Sequence, residues 1–547
     1  MKRSTVPGAV LVFGLLASLA PGLRADERGA RWTPAGPFSL AASDCPAPAV
    51  RGLILGDRRA HPFEKAAPAP PPGKKLGRAV LEFAAAMAAG QVWYNAAHRD
   101  IKPWQYHWTW KDQSERLFNL HTWRFDSNCY FLNWTHGPVG AATYALARSN
   151  YLNRLESALF TLAGSLYWES IAEWASGVSL NDHAFTILGG IPIGEAWHNL
   201  GEYFLSRSGL VNGIIGYLNP LLKFNRWLDR KAVPPIPRPP EPGWHDFRLS
   251  FGGWTHPSPG PGRSGLNAYA GIDAQLLGIP DAEKPGRVRL TPETTLFSQA
   301  SFDLVTAGGR VEEIGFFFRS VYWGSFWKSI GPDLDGSRFY IGLGSAFRFF
   351  KQRSAAFYDS NDVVVKDIER LRLDEPRDFR DKFSAVHALG PVFDLTVREG
   401  PFRARATADA YLDFALVNAL ALNDYSRTHP IAGAKTTLVY YGYYYAWGGS
   451  LALHVDIEYG PWEARAFFRG HAWGSIEGRD HFQAEVTDDY HLTDARTFAG
   501  FRTGFRLWTS PLLLTAAAER IGRRGSIKDL TRREKEVRIS AGLQLRY

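Results

Sequence analysis

Between residues 136 and 195, ionisable and amide side chains recur inside an otherwise apolar, small-residue stretch, at spacings that could move protons. His136 precedes Gly137-Pro138. Glu169 and Glu173 stand one helical turn apart and so share a helix face. Asn181-Asp182 follows Ser179, and Glu195 follows Gly194. An ionisable group in apolar surroundings has a displaced proton affinity, and a histidine beside carboxylates can take and return a proton. The acid/base reading therefore makes His136 the base or acid and Glu169 and Asp182 its partners. Glu173 and Glu195 tune it, and Ser149, Asn150 and Asn181 complete the polar cluster. The same residues serve as well to lock helices together, with Asp182 at a helix N-terminus and the glutamates paired to Arg148 or Arg154. No G-x-S-x-G nucleophile elbow occurs. His136, Glu169 and His183 or His198 could form a metal-ligand set, but their spacing is not diagnostic. The two cysteines, Cys45 and Cys129, lack zinc-type spacing. They read either as one disulfide in an oxidising compartment or as two thiols. No cofactor and no metal are expected.

These residues need helices to position them. LGRAVLEFAAAMAAGQVWYNAA, GAATYALARS, ESALFTLAGSLYWESIAEWAS and HAFTILGGIPIGEAWHNLGEYFLS carry helical patterns rich in Gly, Ala and Ser, which let helices approach closely. In order along the chain come His136-Gly137, Ala147 to Asn150, Gly164-Ser165, Trp168-Glu169, Glu173, Ser179, Asn181-Asp182, Gly189-Gly190 and Gly194-Glu195. This run resembles the Gram-negative family known as domain of unknown function 3943. The resemblance implies an exported outer-membrane protein with a trailing barrel, and it implies no established activity.

VPPIPRPPEPG, from Val233 to Gly243, is too proline-dense for helix or central strand and separates two halves. From Trp244 onward the period becomes two. In REGPFRARATADAYLDF, Phe402, Ala404, Ala406 and Ala408 alternate with Arg403, Arg405 and Asp409. EYGPWEARAFFRGHAW repeats this with Trp462, Ala464, Ala466 and Phe468 against Arg465 and Arg469. Leu453, Val455 and Ile457 oppose Asp456 and Glu458, and Phe501 and Phe505 oppose Arg502 and Arg506. About twelve such segments occur, an even number of the kind a bacterial membrane barrel uses. Tight turns at Gly400-Pro401, Gly460-Pro461 and Ser510-Pro511 alternate with stretches that read as long polar loops, NALALNDYSRTHPIAGAK, GSIEGRDHFQAEVTDDYHLTD and GRRGSIKDLTRREK. The chain finishes EVRISAGLQLRY, an alternating strand on a terminal aromatic that resembles the signal read by barrel-insertion machinery.

Alternation alone fits a soluble sandwich or lipocalin-like barrel too. Strand length and aromatics at strand ends favour lipid outside. The expected fold is therefore a small-residue-rich helical domain followed by an antiparallel transmembrane β-barrel of about twelve strands. Arg403, Arg405, Asp409, Asp456, Glu458, Arg465, Arg469, Arg502 and Arg506 would line the lumen, as ion-pair ladders or as an anion-favouring pore.

Lys2 and Arg3 before the apolar AVLVFGLLASLA, with Leu23-Arg24-Ala25 before Asp26, read as a secretory signal cleaved near Ala25. Across its 547 residues the chain is 45% hydrophobic and 21% charged, which excludes a disordered chain. The net charge of +9 comes with no dense basic run or nucleic-acid motif, so nucleic acid is not an expected partner. The expected organisation is a signal peptide (1–25), a Pro-rich irregular segment (26–75) and a helical domain that plugs or caps the barrel (76–232). A Pro-rich linker (233–243) and the barrel (244–547) follow. The expected place is the outer membrane of a Gram-negative bacterium. The expected partners are its lipid, the insertion machinery and a small anionic or lipidic solute. The function reads as a structural, transport or binding role in the envelope, with an envelope-lipid-modifying enzyme using His136, Glu169 and Asp182 as the alternative.

Overall fold

A computed structural model describes residues 73–97, 106–125, 133–207, 212, 216, 219–232, 244–255, 266–279, 281–293, 297–307, 310–352, 381–429, 438, 442–476, 490–508 and 510–547. The signal segment, most of the Pro-rich segment, the 233–243 linker, Cys45 and Cys129 lie outside them.

Among the described residues, thirteen strands form one antiparallel sheet. They are β1 (Trp244–Thr255), β2 (Leu266–Leu277), β3 (Gly286–Glu293), β4 (Phe297–Ala307), β5 (Arg310–Ile330), β6 (Gly336–Gln352) and β7 (Lys382–Glu399). After them come β8 (Phe402–Asn418), β9 (Tyr443–Tyr459), β10 (Trp462–Ser475), β11 (Leu492–Arg506), β12 (Leu512–Ile527) and β13 (Leu530–Arg546). Twelve of these close into a ring. β1 pairs with β13, Arg248 opposite Arg546, and the other seam closes where β5 pairs with β6. β3 stands outside the ring order and pairs with the part of β5 that β4 leaves free.

Gly400 and Gly460 take positive φ in the β7–β8 and β9–β10 turns, the conformation that glycine tolerates without a Cβ penalty. One connection differs from its expectation. GRRGSIKDLTRREK is not a loop: β12 and β13 pair residue by residue up to Ile527 opposite Leu530, leaving only Lys528-Asp529 between them. The arginines that suggested a loop are strand residues, several with outward side chains.

The alternation sorts cleanly into an inside and an outside. Leu453, Val455 and Ile457 are 41–42% exposed, whereas Arg338, Asp394 and Arg405 are at most 4% exposed. The apolar face is therefore the outer one, the reverse of a soluble barrel.

Helices precede the barrel: α1 (Leu76–Ala97), α2 (Trp110–Phe118), α3 (His136–Ser149), α4 (Arg154–Tyr167), α5 (Leu180–Ala184), α6 (Gly190–Leu205) and α7 (Pro220–Ala232). Asn153 and Glu156 form a capping box at the start of α4. α4 runs on into a π-helical turn, Trp168–Ala172, and a second π turn, Phe185–Gly189, joins α5 to α6. α3 and α6 touch through glycine. A Cβ on Gly140 would lie 1.9 Å from the Thr186 carbonyl oxygen, and one on Gly190 would lie 2.6–2.7 Å from the Gly140 backbone.

The helices were expected to fill the lumen or cap the barrel. Their contacts are instead with its outer wall. Phe185 meets Phe347 and Phe414 edge-on, Phe125 stacks on Phe414 and Tyr445, and Trp134 packs on Phe316 and Phe349. Each of those strand residues alternates with an inward neighbour such as Arg348 or Asp413, and Phe414 itself touches the exposed outer Trp447. Further along, Tyr203 and Phe204 pack on Phe247 beside Tyr547. The domain thus lies along a diagonal band, from the β1–β2 end of the wall to the β8–β9 corner. The lumen has an apolar patch of its own, where Phe383, Tyr444, Trp473 and Phe498 pack with Leu422 and Tyr425 of the short helix Leu422–Ser426, but the helices ahead of the barrel sit on the outer wall.

Candidate functional site in the helical domain

The polar residues singled out along the helices fall into three separate networks. The first is acidic. Glu169 sits in the π turn after α4, Glu173 caps that turn, and Asp182 lies in α5, whose N-cap Ser179 faces the Asp182 amide. All three are buried. Ser179 N donates to Glu169 Oε2 at 3.3 Å, and Trp168 Nε1 donates to Glu173 Oε1 at 3.0 Å. Asp182 Oδ1 accepts from Asn133 and lies 3.4 Å from His136 Nε2. Thr186 Oγ1 stands 3.4 Å from His136 Nδ1. His136, Glu169, Glu173 and Asp182 therefore do gather. Burial first, then Glu173 and Asp182, raise the Glu169 carboxyl well above its ordinary range, and burial followed by Asp182 raises Glu173. His183, with Ser165 Oγ 2.8 Å from its Nδ1, is lowered by burial to about 4.

The cation beside this cluster was not picked out from sequence. Arg116 of α2 is fully buried, and its guanidinium donates to the carbonyls of Ser176 (2.6 Å), Ser170 (2.9 Å), Glu173 (3.0 Å) and Glu169. It thereby satisfies carbonyls that the end of a helix leaves open. In WKDQSERLF, a short amphipathic helix, an arginine reads as solvated, and only the tertiary structure shows otherwise.

The second network centres on Glu195. It accepts from Arg154 Nε (2.6 Å), Arg148 Nε (3.0 Å), the Tyr144 hydroxyl (3.0 Å) and Asn199 Nδ2 (3.3 Å). Burial alone would raise its carboxyl. Arg148 and Arg154 outweigh burial and hold it well below the usual range. A carboxylate so paired is a strut, apart from the acid cluster. The third network ties Asn150 to Arg78 (2.5 Å) and Glu82 (2.6 Å), with Ser149 accepting from Asn225 at 2.8 Å. Asn181 plays a different part: its Nδ2 donates to the Tyr445 hydroxyl on the barrel wall at 2.8 Å. Among the described residues no group of three His, Cys, Asp or Glu side chains is placed to hold a metal ion.

Inside the barrel the predicted lumen residues pair with carboxylates. Arg405 bridges Asp394 (2.6 Å) and Gln275 (2.9 Å), Asp409 accepts from Arg319 (2.6 Å), and Arg403 meets Glu283 (2.9 Å) and Glu458 (3.2 Å). Arg465 pairs with Asp456, and Arg469 with Glu519 at 3.3 Å. Arg502 lines a small gap beside Arg248, Glu463 and Arg465, and Arg506 continues its alternation on β11, half-buried opposite Leu513. Two small cavities in the described interior, one beside Trp244 and Arg405 and one beside Arg248 and Glu463, hold about 10 Å³ each, roughly one water. Partners not singled out from sequence complete the ladders. Arg546 reaches Glu458 (2.7 Å), Asp246 (2.9 Å) and Glu463 (3.0 Å), and Arg496 reaches Asp381 at 2.8 Å.

Residues 122–220 match the family described as Domain of unknown function (DUF3943). No curated protein matches the chain. Among solved structures it is similar to the beta domain of the Bordetella autotransporter BrkA, at 11% identity over 55% of this chain and 98% of that one, with a TM-score of 0.20. It is also similar to a mutant of the TodX monoaromatic hydrocarbon channel, at 9% identity over 55% and 88%, TM-score 0.21. A third is Salmonella typhi OmpF in complex with daunomycin, at 10% identity over 56% and 97%, TM-score 0.16. Likeness of this degree says nothing of role, and the barrel stands on its own strand pairing. The helical segment that holds His136, Glu169, Glu173, Asp182 and Glu195 thus matches the DUF3943 family model, and a closed twelve-strand barrel follows it.

Proposed function

We propose that this chain is an outer-membrane protein whose sealed barrel holds the DUF3943 domain against its own lipid-facing wall, in a structural or lipid-binding role in the envelope. The supporting observation is the sorting of side chains: exposed Leu453, Val455 and Ile457 outside, buried Arg338, Asp394 and Arg405 inside. Exposed apolar belts of this kind belong in hydrocarbon. Ion pairs together with the apolar cluster around Phe383, Tyr444, Trp473 and Phe498 occupy the lumen and favour a scaffold over an open pore, which leaves the wall as the place for a lipidic solute. Insertion into the membrane would depend on the barrel-insertion machinery and on signal cleavage near Ala25. Heat-modifiable gel migration of isolated outer membranes tests the reading. A folded band that shifts on boiling is expected; recovery in the soluble periplasmic fraction with no shift overturns it.

A lipid-modifying enzyme is the second reading. What favours it is His136, whose side chain keeps 26% exposure while Nε2 stands 3.4 Å from Asp182. Alanine at His136, Glu169 and Asp182 in turn separates the two. Loss of assembly marks scaffold residues; a folded protein with altered envelope lipids marks catalytic ones.

A further inference from the structure

We infer that α1 and α4 form a lipid-facing flank of the helical domain, covered by acyl chains of the membrane that holds the barrel. The inference rests on the outer-membrane reading and extends the bilayer contact from strands to helices. Leu155, Leu159, Leu162 and Leu166 recur at four-, three- and four-residue steps along α4, one stripe of a helix, and are 71%, 54%, 36% and 45% exposed. α1 runs beside α4, with Phe83 edge-on to Phe160 at 5.5 Å and Tyr94 edge-on to Trp168 at 5.6 Å. It adds exposed Val80 and Leu81.

Charge is distributed as a bilayer demands. The N-terminal ends of the two helices lie together, with Lys74 on Glu156 at 2.7 Å, and they carry Arg78, Glu82 and Arg154 as well. From Phe83 to Ala97 and from Ser157 to Trp168 there is no Asp, Glu, Lys or Arg. The far ends collect Trp93, Tyr94 and Trp168, the residue types that gather at membrane interfaces. The flank also continues the barrel's own belt. Arg154 Nη1 donates to the Tyr322 carbonyl at 3.5 Å, one residue from the outward, exposed Trp323. A soluble face would interrupt such a stripe with charge. No described helix is long and apolar enough to cross a membrane alone. The pair instead lies in the bilayer as part of a unit leaning on the wall.

Nitroxide labels in a Cys45→Ser, Cys129→Ser background test this in liposomes. Single cysteines are placed at Leu159 on the flank, Leu453 on the barrel belt and Asp529 in the β12–β13 turn. The label at 159 is expected to match 453, favouring collision with molecular oxygen over a water-soluble nickel chelate, while 529 shows the reverse. Should 453 favour oxygen and 159 favour nickel, the barrel is in the bilayer and the flank is not, and only the inference falls. Should 453 itself favour nickel, the outer-membrane reading falls first. Dipolar broadening between labels at 159 would mean that a second copy covers the stripe, and it too would overturn the inference.

Discussion

Phe347 tests whether the helices are held by the outside of the wall. Its side chain is fully buried, stacks on Phe316, and would lie 3.3–3.4 Å from a Cβ added at Gly137 and 3.0–3.4 Å from one added at Gly189. Phe347→Ala opens a gap between α3, the π turn before α6, and β6. In a core whose unfolded alternative is water, such a change costs about 3–5 kcal/mol. Here the undocked wall would meet lipid tails, so the transfer part, about 2–3 kcal/mol, is not lost. The lost contacts and the cavity leave about 1–2 kcal/mol, which raises the undocked population by a factor of about 5–30. Timed trypsin digestion in outer-membrane vesicles should therefore remove the helical domain faster by that factor, while the barrel keeps its heat-modifiable migration. Leu453→Ala, equally outward but uncovered, should digest like the parent protein. If Phe347→Ala also digests like the parent, or if the barrel fails while the helices stay protected, the placement on the outer wall is wrong.

Glu195→Ala leaves Arg148 and Arg154 facing each other in a buried site, and should destabilise the helical domain by about 3–5 kcal/mol, read as early protease cleavage with the barrel intact. Glu169 acts oppositely with pH. Its folded-state carboxyl is raised, so its favourable contribution is complete below the ordinary glutamate range and fades as pH rises towards the folded value. Glu169→Gln should flatten that loss, so that helical-domain stability measured from pH 4 upward changes less than in the parent; an unchanged slope would refute it. Planar bilayers carrying the folded barrel should be silent, and Arg405→Ala should not open a steady conductance, because Arg338 remains within 3.5 Å of Asp394. A stable conductance from the parent protein would refute the sealed lumen.

The barrel was legible because period two survives within each strand whatever surrounds it, and because Gly-Pro turns punctuate it. The β12–β13 hairpin was not, since Arg524, Arg533 and Lys535 are exposed polar positions on strands and resemble a loop in one dimension. The seat of the helices was illegible for a related reason. Phe347, Phe414 and Tyr445 must be apolar whether lipid or a helix covers them, so their identity cannot report which. In the acid cluster the residue types were readable, but their division was not. Glu195 and Glu169 look alike in sequence; one meets two arginines and the other meets two carboxylates because α4, α5 and α6 fold back on each other. Arg116 was hidden because its partners are backbone carbonyls about sixty residues away, and carbonyls leave no signature in side-chain spacing.

A wall that faces lipid sets an unusual condition on docking. Phenylalanine gains little by leaving acyl chains for helix side chains, so apolar matching alone cannot hold the domain in place. What remains is close packing and hydrogen bonding, and both are present at the seam. Glycines at 137 and 189 let the backbone approach Phe347. Asn181 donates to Tyr445, Asn199 donates to Ser298 at 2.9 Å, and Ser320 donates to the Pro192 carbonyl at 3.0 Å. Ser298, Ser320 and the Tyr445 hydroxyl are outward polar groups that bare lipid would leave unsatisfied. Buried beneath helices they are paired, so each makes the undocked state worse rather than the docked state greasier. That asymmetry fixes the domain at one place on a wall whose belt elsewhere is largely apolar.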